Sequence, residues 1–532
     1  MSTMPSQEAA PQPVITASTE HRAVLGPDAA RRGELVFAVL LAAAFALVTG
    51  FATAHHELWR DEAHAWLLVR DSASPMALLH AARYGGHPYL WYVLLWPLVR
   101  ITHDPSAMQA LSVTIVTAAA FIVARYAPSP RWVRALAVLG YFPVYEYGTI
   151  ARNYGLGLLA LVAFCALFPR RRERPLLVAA TLFVLANTSL PALLLALAAA
   201  GGLAIEVLWL APEARSRATW GGLAIVALGV LLAVAQMVPP SDSGFAVAWK
   251  TDLDPSYGAY VLSDVTSAFL PLPMPGRWFW QTEVLLAFSA YREYAWILAV
   301  LIVIAVAVAL LRRPVALVYY LSATLALLSF FYAKYNGYLR HHGFLFLAFG
   351  SALWLAAYST EAPLSRSIAR VVVAAERSVR VVAAIVFALH VVAGAIAVWG
   401  EYRFAFSGAK QTAALMRERR IGGLPMVAAQ DDAASAVLAY LDKEGAYYPA
   451  GGRNGSFVLY DEARTRPFDL WREVDGFASR TGGPVAAVLT VPVLQGTPAP
   501  PELLRRTRAE GCGVSDVVPD ESFCVFTVWP RP

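Results

Sequence analysis

The sequence predicts an all-α polytopic membrane domain followed by a small α/β domain outside the bilayer, on three observations. Of 532 residues, 58% are hydrophobic and only 15% are charged, a balance soluble domains rarely reach. Apolar stretches of roughly 18 residues or more recur through about the first 400 residues, each long enough to cross ~30 Å of hydrocarbon. From about residue 403 the apolar runs give way to short alternating segments of ordinary polarity.

Residues 1–33 are polar and Pro/Ala-rich, the composition of a disordered N-terminus. The apolar run that follows is an ordinary span, not the short core of a cleavable signal. Within a membrane domain of 34–402, eleven spans are expected, at about 34–54, 105–126, 131–148, 150–168, 175–190, 191–211, 218–238, 293–311, 314–333, 340–358 and 380–399. Long loops cover 55–104 and roughly 239–292.

The topology turns on residues 88–101, Pro88 to Ile101, an apolar run of 14 residues. At 1.5 Å per residue it reaches about 21 Å, short of a crossing. As a juxtamembrane or re-entrant helix it leaves Arg170–Arg174, Arg131 and Arg134, Arg215 and Arg217, Arg312 and Arg313, and Arg366, Arg370, Arg377 and Arg380 on one side. The positive-inside rule makes that side the cytoplasm. The expectation is a multi-pass protein of the inner (cytoplasmic) membrane, with a cytoplasmic N-terminus and an extracytoplasmic domain at 403–532. The formal net charge of +6 then sets topology, and no aromatic-basic surface points to nucleic acid.

In the last domain, Gly423–Gln430, Gly455–Tyr460, Pro484–Val491 and Ser522–Trp529 read as strands. Asp431 or Asp432 can cap a helix through Leu441, and helical stretches are expected near 467–478 and 501–509. Cys165 lies in an apolar span as core packing. An oxidising outer compartment permits a Cys512–Cys524 disulfide closing a hairpin-like end. No cysteine spacing suggests zinc.

Polar clusters gather at four outer turns: Asp61, Glu62, His64, Arg83 and His87; Arg152, Asn153 and Tyr154; Asn187, Thr188 and Ser189; and Lys334, Tyr335, Asn336, Tyr338, Arg340, His341 and His342. Polar groups at membrane depth are expensive and usually functional. Each has a plainer reading. Asp61 can be the N-cap of an amphipathic helix 62–70. Glu62, one residue on, points roughly 100° away on a helix. His64 and His87 can be idle interfacial histidines, Arg83 a headgroup contact, and Arg152 a partner of Glu146. His341 and His342 diverge on a helix. The rings of Trp91, Tyr92 and Trp96 can form an aromatic belt. A divalent metal held by Glu62, His64 and His87 stays open as a reading, but no ligand spacing supports it. Together the clusters suit a substrate that is half lipid and half polar. Cations can hold a lipid phosphate, and a carboxylate can deprotonate an acceptor hydroxyl.

The stretches Trp59-Arg60-Asp61-Glu62-Ala63-His64-Ala65-Trp66 and Gly86-His87-Pro88-Tyr89-Leu90-Trp91-Tyr92 carry a resemblance to the GT-C glycosyltransferases. The chain looks most like their protein-mannosyltransferase and aminoarabinose-transferase group. Ala151-Arg152-Asn153-Tyr154 and Leu339-Arg340-His341-His342-Gly343 fit a more distant likeness, and the whole covers about 34–400. The resemblance implies a GT-C fold with juxtamembrane helices in the first outer loop. It implies transfer of a sugar from a polyprenyl-phosphate donor to a glycan, lipid or protein acceptor on the outer side, among membrane lipids. It makes Asp61 the residue acting on the acceptor, with Glu62 second. Arg83, Arg152, Lys334 and Arg340 become candidates for the donor phosphate. His64, His87, Asn153, Tyr154, Asn187, Tyr335, His341 and His342 complete the expected substrate contacts. The chain departs from the group in lacking a double proline at His87-Pro88-Tyr89, and in carrying Arg152-Asn153 where the second loop's acidic motif is usual. A glycolipid transporter or flippase is the alternative, but no repeat with paired broken helices is present. A third reading is a non-catalytic platform whose last domain binds a partner.

Overall fold

The computed structural model describes residues 27–244 and 248–531. Residues 1–26 of the expected disordered N-terminus lie outside the described residues. From Pro27 the chain is already helical, so the first helix, Pro27–His55, starts earlier than the expected 34. Proline is compatible with a first helical turn, where its missing N–H has no intrahelical acceptor to lose.

The chain forms a polytopic helical membrane domain with a small α/β domain at its C-terminal end. Helical segments occupy each expected span. Among the described residues, seven helices are long and apolar enough to cross a membrane by length and composition: Arg31–His55, Ser106–Tyr126, Leu190–Leu210, Arg217–Met237, Ser289–Leu310, Pro314–Ala333 and Arg366–Arg403. Tyr154–Arg170 and Pro175–Ala186 are shorter. Leu339–Ala356 carries Arg340, His341 and His342 in its first turn. The expected span 131–148 is broken: Arg131–Val138 is α-helical and Phe142–Thr149 is π-helical. Pro143 has no N–H to donate to the Leu139 carbonyl four residues back, so the α-helical ladder of Arg131–Val138 cannot run unbroken into this segment.

The loop 55–104 folds as three short helices, Arg60–Asp71, Pro75–Ala82 and Leu90–Leu98. The last has 9 residues, about 13 Å at 1.5 Å per residue, shorter than the ~30 Å of hydrocarbon a crossing needs. The loop 239–292 holds a helix that the hydropathy pattern did not announce, Pro255–Phe269. Its start is written in its caps: Asp254 Oδ1 accepts from the Ser256 and Tyr257 N–H groups at 3.0 and 3.1 Å, and Pro255 sits in the first turn.

Arginine turns collect at one end of the bundle. Glu34, near the start of the first helix, accepts from Arg131 at 3.1 Å and from Arg134 at 2.9 Å. Glu206 accepts from Arg171 at 2.6 Å and Arg172 at 2.9 Å, and Glu361 pairs with Arg312 and Arg313. His55, at the other end of the first helix, leads into the 55–104 segment, against which the C-terminal domain docks. Ala63 and Leu67, both fully buried, pack with Ala433, Val437 and Leu438. Each large apolar side chain buried this way contributes roughly 1.5–3 kcal/mol.

The C-terminal domain is built on a six-stranded sheet of order β3-β2-β1-β4-β6-β5. The strands are β1 Met426–Ala428, β2 Ala446–Tyr448, β3 Arg453–Gly455, β4 Val485–Thr490, β5 Thr507–Gly513 and β6 Phe523–Val528. β2 and β4 flank β1 in parallel, and the outer three strands pair antiparallel. Cys512 on β5 is disulfide-bonded to Cys524 opposite it on β6. Three local expectations are corrected. Residues 456–460 are not a strand, and β3 ends at Gly455. The helix at 501 stops at Leu504, giving way to β5. The helix Asp431–Leu441 has Gln430 at its N-cap, with Asp431 and Asp432 in the first turn, where their charge still favours the helix dipole.

Candidate active site

The helix Arg60–Asp71 opens from Trp59, whose backbone is extended. Asp61 therefore lies inside the first turn and is not the cap. Glu62 takes that part: its Oε2 accepts from the Trp59 N–H at 3.4 Å. The roughly 100° between adjacent helical residues sends the two carboxylates to different places. Glu62 is fully buried. Its Oε1 accepts from the Ala151 N–H at 2.6 Å, and its Oε2 lies 2.8 Å from His56 Nε2. Asp61 keeps 23% of its side chain exposed.

Holding Ala151 places the next residue. Arg152 Nη1 reaches Asp61 Oδ2 at 2.8 Å, so Arg152 pairs with Asp61 and not with Glu146, which instead accepts from the Tyr141 hydroxyl at 2.8 Å. Arg340 approaches the same Asp61 oxygen at 3.4 Å. It comes from the first turn of Leu339–Ala356, where the Tyr147 hydroxyl donates to its carbonyl at 2.9 Å. Gly343 permits this approach, since a Cβ there would collide with the Tyr147 hydroxyl and the Phe142 ring. The Arg340 guanidinium lies 5.4 Å from the Trp59 ring and 4.9 Å from the Tyr338 ring. Its Nε and Nη1 are buried and have no hydrogen-bond partner among the described residues. Five fixed donors on a buried cation, three of them on these two unpaired nitrogens, are what an anion would complete.

Two imidazoles border this pair. His87 Nε2 lies 3.5 Å from Arg152 Nη2, and the Nδ1 atoms of His87 and His64 are both buried without a partner. Burial pushes His64 down to about 4, and burial together with the Arg152 charge pushes His87 down to about 3. Both are neutral at pH 7. Burial alone would raise the Asp61 carboxyl, but Arg152 and Arg340 outweigh it and hold Asp61 below the ordinary carboxylate range. The C-terminal domain reaches the same place. The Tyr460 ring packs 5.7 Å from His64. Arg464, held by Asp431 at 2.8 Å and Asp432 at 3.3 Å, lies 5.1 Å from the Tyr460 ring.

The fold thus gathers Asp61, His64, His87, Arg152 and Arg340. Tyr154 and His341 stand behind them: His341 Nδ1 accepts from the Tyr338 N–H at 2.9 Å, and its Nε2 lies 2.9 Å from the Tyr154 hydroxyl. Tyr335 packs edge-on to His341 at 5.6 Å. Other expected contacts go elsewhere. Arg83 donates to the Val238 carbonyl in an exposed position. Asn153 donates to the Thr188 carbonyl at 2.7 Å, and Asn187 to the Phe183 and Gly229 carbonyls; both tie backbone together. The Lys334 ammonium lies 5.1 Å from the Trp249 ring. His342 turns to the Asn336 carbonyl at 2.9 Å and Asp264 at 3.5 Å. With both Glu62 oxygens committed, Glu62, His64 and His87 do not form a shared ligand set. His56, Glu401, Tyr145, Tyr460 and Arg464 were missed by the sequence reading. Glu401 carried a faint signal, as a lone acid ending an apolar run.

An apolar cavity of about 140 Å³ lies elsewhere, in the bundle wall between Val116, Leu161, Cys165, Phe346 and Phe387. It does not include Asp61, and its lining offers little chemistry.

No family model and no curated protein matches the chain. Two solved structures are similar to it. One is ArnT from Cupriavidus metallidurans bound to undecaprenyl phosphate, at 13% identity and a TM-score of 0.47, covering 92% of this chain and 97% of that one. The other is ArnT from Cupriavidus metallidurans in the apo state, at 14% identity and a TM-score of 0.46, with the same coverage.

Proposed function

We propose that the chain is an integral-membrane glycosyltransferase that moves a sugar from a polyprenyl-phosphate donor to an acceptor on the outer side of the cytoplasmic membrane. The observation that carries this reading is the Asp61–Arg152–Arg340 cluster. Two guanidinium groups face one carboxylate between neutral imidazoles, so the cluster itself holds one cation more than anion, and it lies at the end of the bundle away from the arginine turns. A lipid-linked phosphodiester brings one negative charge and an apolar tail that the bilayer receives.

In this reading the acceptor hydroxyl oxygen attacks the anomeric carbon as the bond to the phosphate oxygen breaks, and the configuration inverts. The hydroxyl proton passes to Asp61. The lipid phosphate leaves with one more negative charge than it brought, and the unpaired N–H groups of Arg340 meet that charge as it develops, when they accelerate the reaction most. Arg152 and Arg340 hold Asp61 ionised, which makes it a weak base that acts by placement. Both cations approach Oδ2, leaving Oδ1 for the acceptor.

The test is transfer from polyprenyl-phosphate-linked sugars in membranes carrying the chain, against membranes carrying Asp61→Asn. Sugar transfer by the native chain and its loss in the variant are expected. Equal transfer by both would remove Asp61 from the chemistry, and no transfer from any such donor would remove the function.

A further inference from the structure

Beneath the cluster lies a chain of buried groups that the chemistry above does not use. His56 sits just past the end of the first helix, and its side chain is completely buried, as is that of Glu62. Its Nε2 lies 2.8 Å from Glu62 Oε2, and its Nδ1 lies 3.0 Å from Glu401 Oε1. An imidazole that meets a carboxylate oxygen at each nitrogen donates from both, which only the protonated ring can do. Glu401 Oε1 also accepts from the Tyr145 hydroxyl at 2.6 Å. The Phe406 ring stands edge-on to His56 at 4.5 Å. The nearby Glu57 carboxylate is engaged by the Phe406 N–H at 2.7 Å.

This chain joins three stretches that are remote in sequence: residues 56–62 between the first helix and the start of Arg60–Asp71, the 150–153 connection, and the end of Arg366–Arg403. Its junction is Glu62, whose other oxygen holds the Ala151 N–H at 2.6 Å. Asp61 precedes Glu62 by one residue, and Arg152 follows Ala151 by one. Any drift of Glu62 therefore passes directly to the Asp61–Arg152 pair.

We propose that His56 is a positioning residue: by bridging Glu62 and Glu401 it clamps the start of Arg60–Asp71 against Ala151, so that Asp61 and Arg152 meet in register. The proposal rests on the glycosyltransferase reading for its kinetic consequence, and on geometry alone for the clamp. Without the imidazolium, two buried carboxylates lose their shared cation, which is strongly unfavourable. Glu62 then shifts toward other donors. A displacement near 1 Å at a reacting group can cost about 100-fold in rate.

The experiment uses the full chain in lipid nanodiscs, with His56→Asn and Glu401→Gln beside the native protein. Glu401→Gln keeps the side-chain shape and an acceptor for Tyr145 while removing one of the two charges, so it serves if His56→Asn does not fold. Two quantities are read: amide hydrogen exchange in peptides covering 57–66 and 150–154, and transfer kinetics with the donor the native chain uses. Expected are faster exchange in both segments with none in the helix Asp431–Leu441, and a kcat lowered by about 30–100-fold with the donor KM within about threefold. Native exchange in either segment would overturn the clamp. Faster exchange with a native kcat would overturn the positioning role. A native chain that transfers no sugar would overturn the functional reading, and exchange would still decide the clamp.

Discussion

The Arg152 guanidinium meets the Asp61 carboxylate at 2.8 Å, and a shorter contact one residue away on each chain, the Ala151 N–H to Glu62 at 2.6 Å, supports it. The two adjacent acids thus divide the work. Glu62 is spent on placing the loop, and Asp61 is left with part of its surface open. A pocket whose charged atoms are held by their neighbours pays little reorganisation when a substrate arrives.

Asp61→Asn is expected to lower sugar transfer by about 10²–10⁴-fold, the usual contribution of a positioned proton acceptor. Binding of a polyprenyl phosphate should survive or strengthen, because Arg152 and Arg340 lose their internal counter-ion. Parallel turnover and lipid-binding measurements check this. Weaker binding together with intact turnover would reverse the assignment.

Arg340→Met should weaken polyprenyl phosphate binding by roughly 10–100-fold, the loss of one or two charge-assisted hydrogen bonds. Arg83→Ala, at an exposed site where the guanidinium donates to the Val238 carbonyl, should stay within about twofold of native binding. A titration of lipid phosphate against both variants separates a pocket cation from a headgroup contact. The reverse ranking would place the phosphate at Arg83.

Acidification should destabilise the fold through His64 and His87, whose pKa values are depressed to about 4 and about 3. Between those values and about 6.5, the unfolded chain binds protons that the folded histidines refuse. Stability from these two groups is therefore complete above about 6.5 and is lost as pH falls toward 4. Asp61, also held low, adds its own loss below the ordinary carboxylate range. Thermal melts at pH 7 and pH 5 should show a drop in Tm that is smaller in His64→Asn and in His87→Asn. An identical drop in all three proteins would mean other groups set the acid sensitivity.

Arg60→Ala should loosen the C-terminal domain. Arg60 pairs with Asp520, with Glu521 at 3.0 Å and with Asp432 at 3.4 Å, while 18% exposed. Glu521 is fully buried, and burial pushes it up to about 7 despite the Arg60 charge. Removing Arg60 is expected to cost on the order of 2 kcal/mol, below the full cost of breaking a buried pair because Arg60 is partly screened. Limited proteolysis between residues 403 and 426 should quicken. Unchanged cleavage and Tm would mean that the apolar contact of Ala63 and Leu67 holds the domain unaided.

The sequence by itself determined the membrane-embedded helices, the shortness of the helix within 88–101 and the sheet-bearing C-terminal domain. These follow from apolar length and local alternation, forces that act within one helix or one strand. It also marked Asp61, Arg152 and Arg340, because polar residues at the rim of apolar spans stand out. Short β2 escaped it, since three residues carry no period. Residues 501–509 misled it because a helical turn and a strand share that stretch.

Only the tertiary structure decided which marked residues meet. Asn153, Asn187 and His342 looked equal to His87 in sequence, yet their partners are backbone carbonyls, Gln236 or Asp264 on neighbouring segments. The His56–Glu62–Glu401 bridge and the approach of Tyr460 to His64 join residues hundreds of positions apart. The direction of a side chain about its helix axis is set by what packs against that helix. Hydropathy and capping end their influence within a few turns, so the different fates of Asp61 and Glu62 were settled by Ala151, His56 and Arg152.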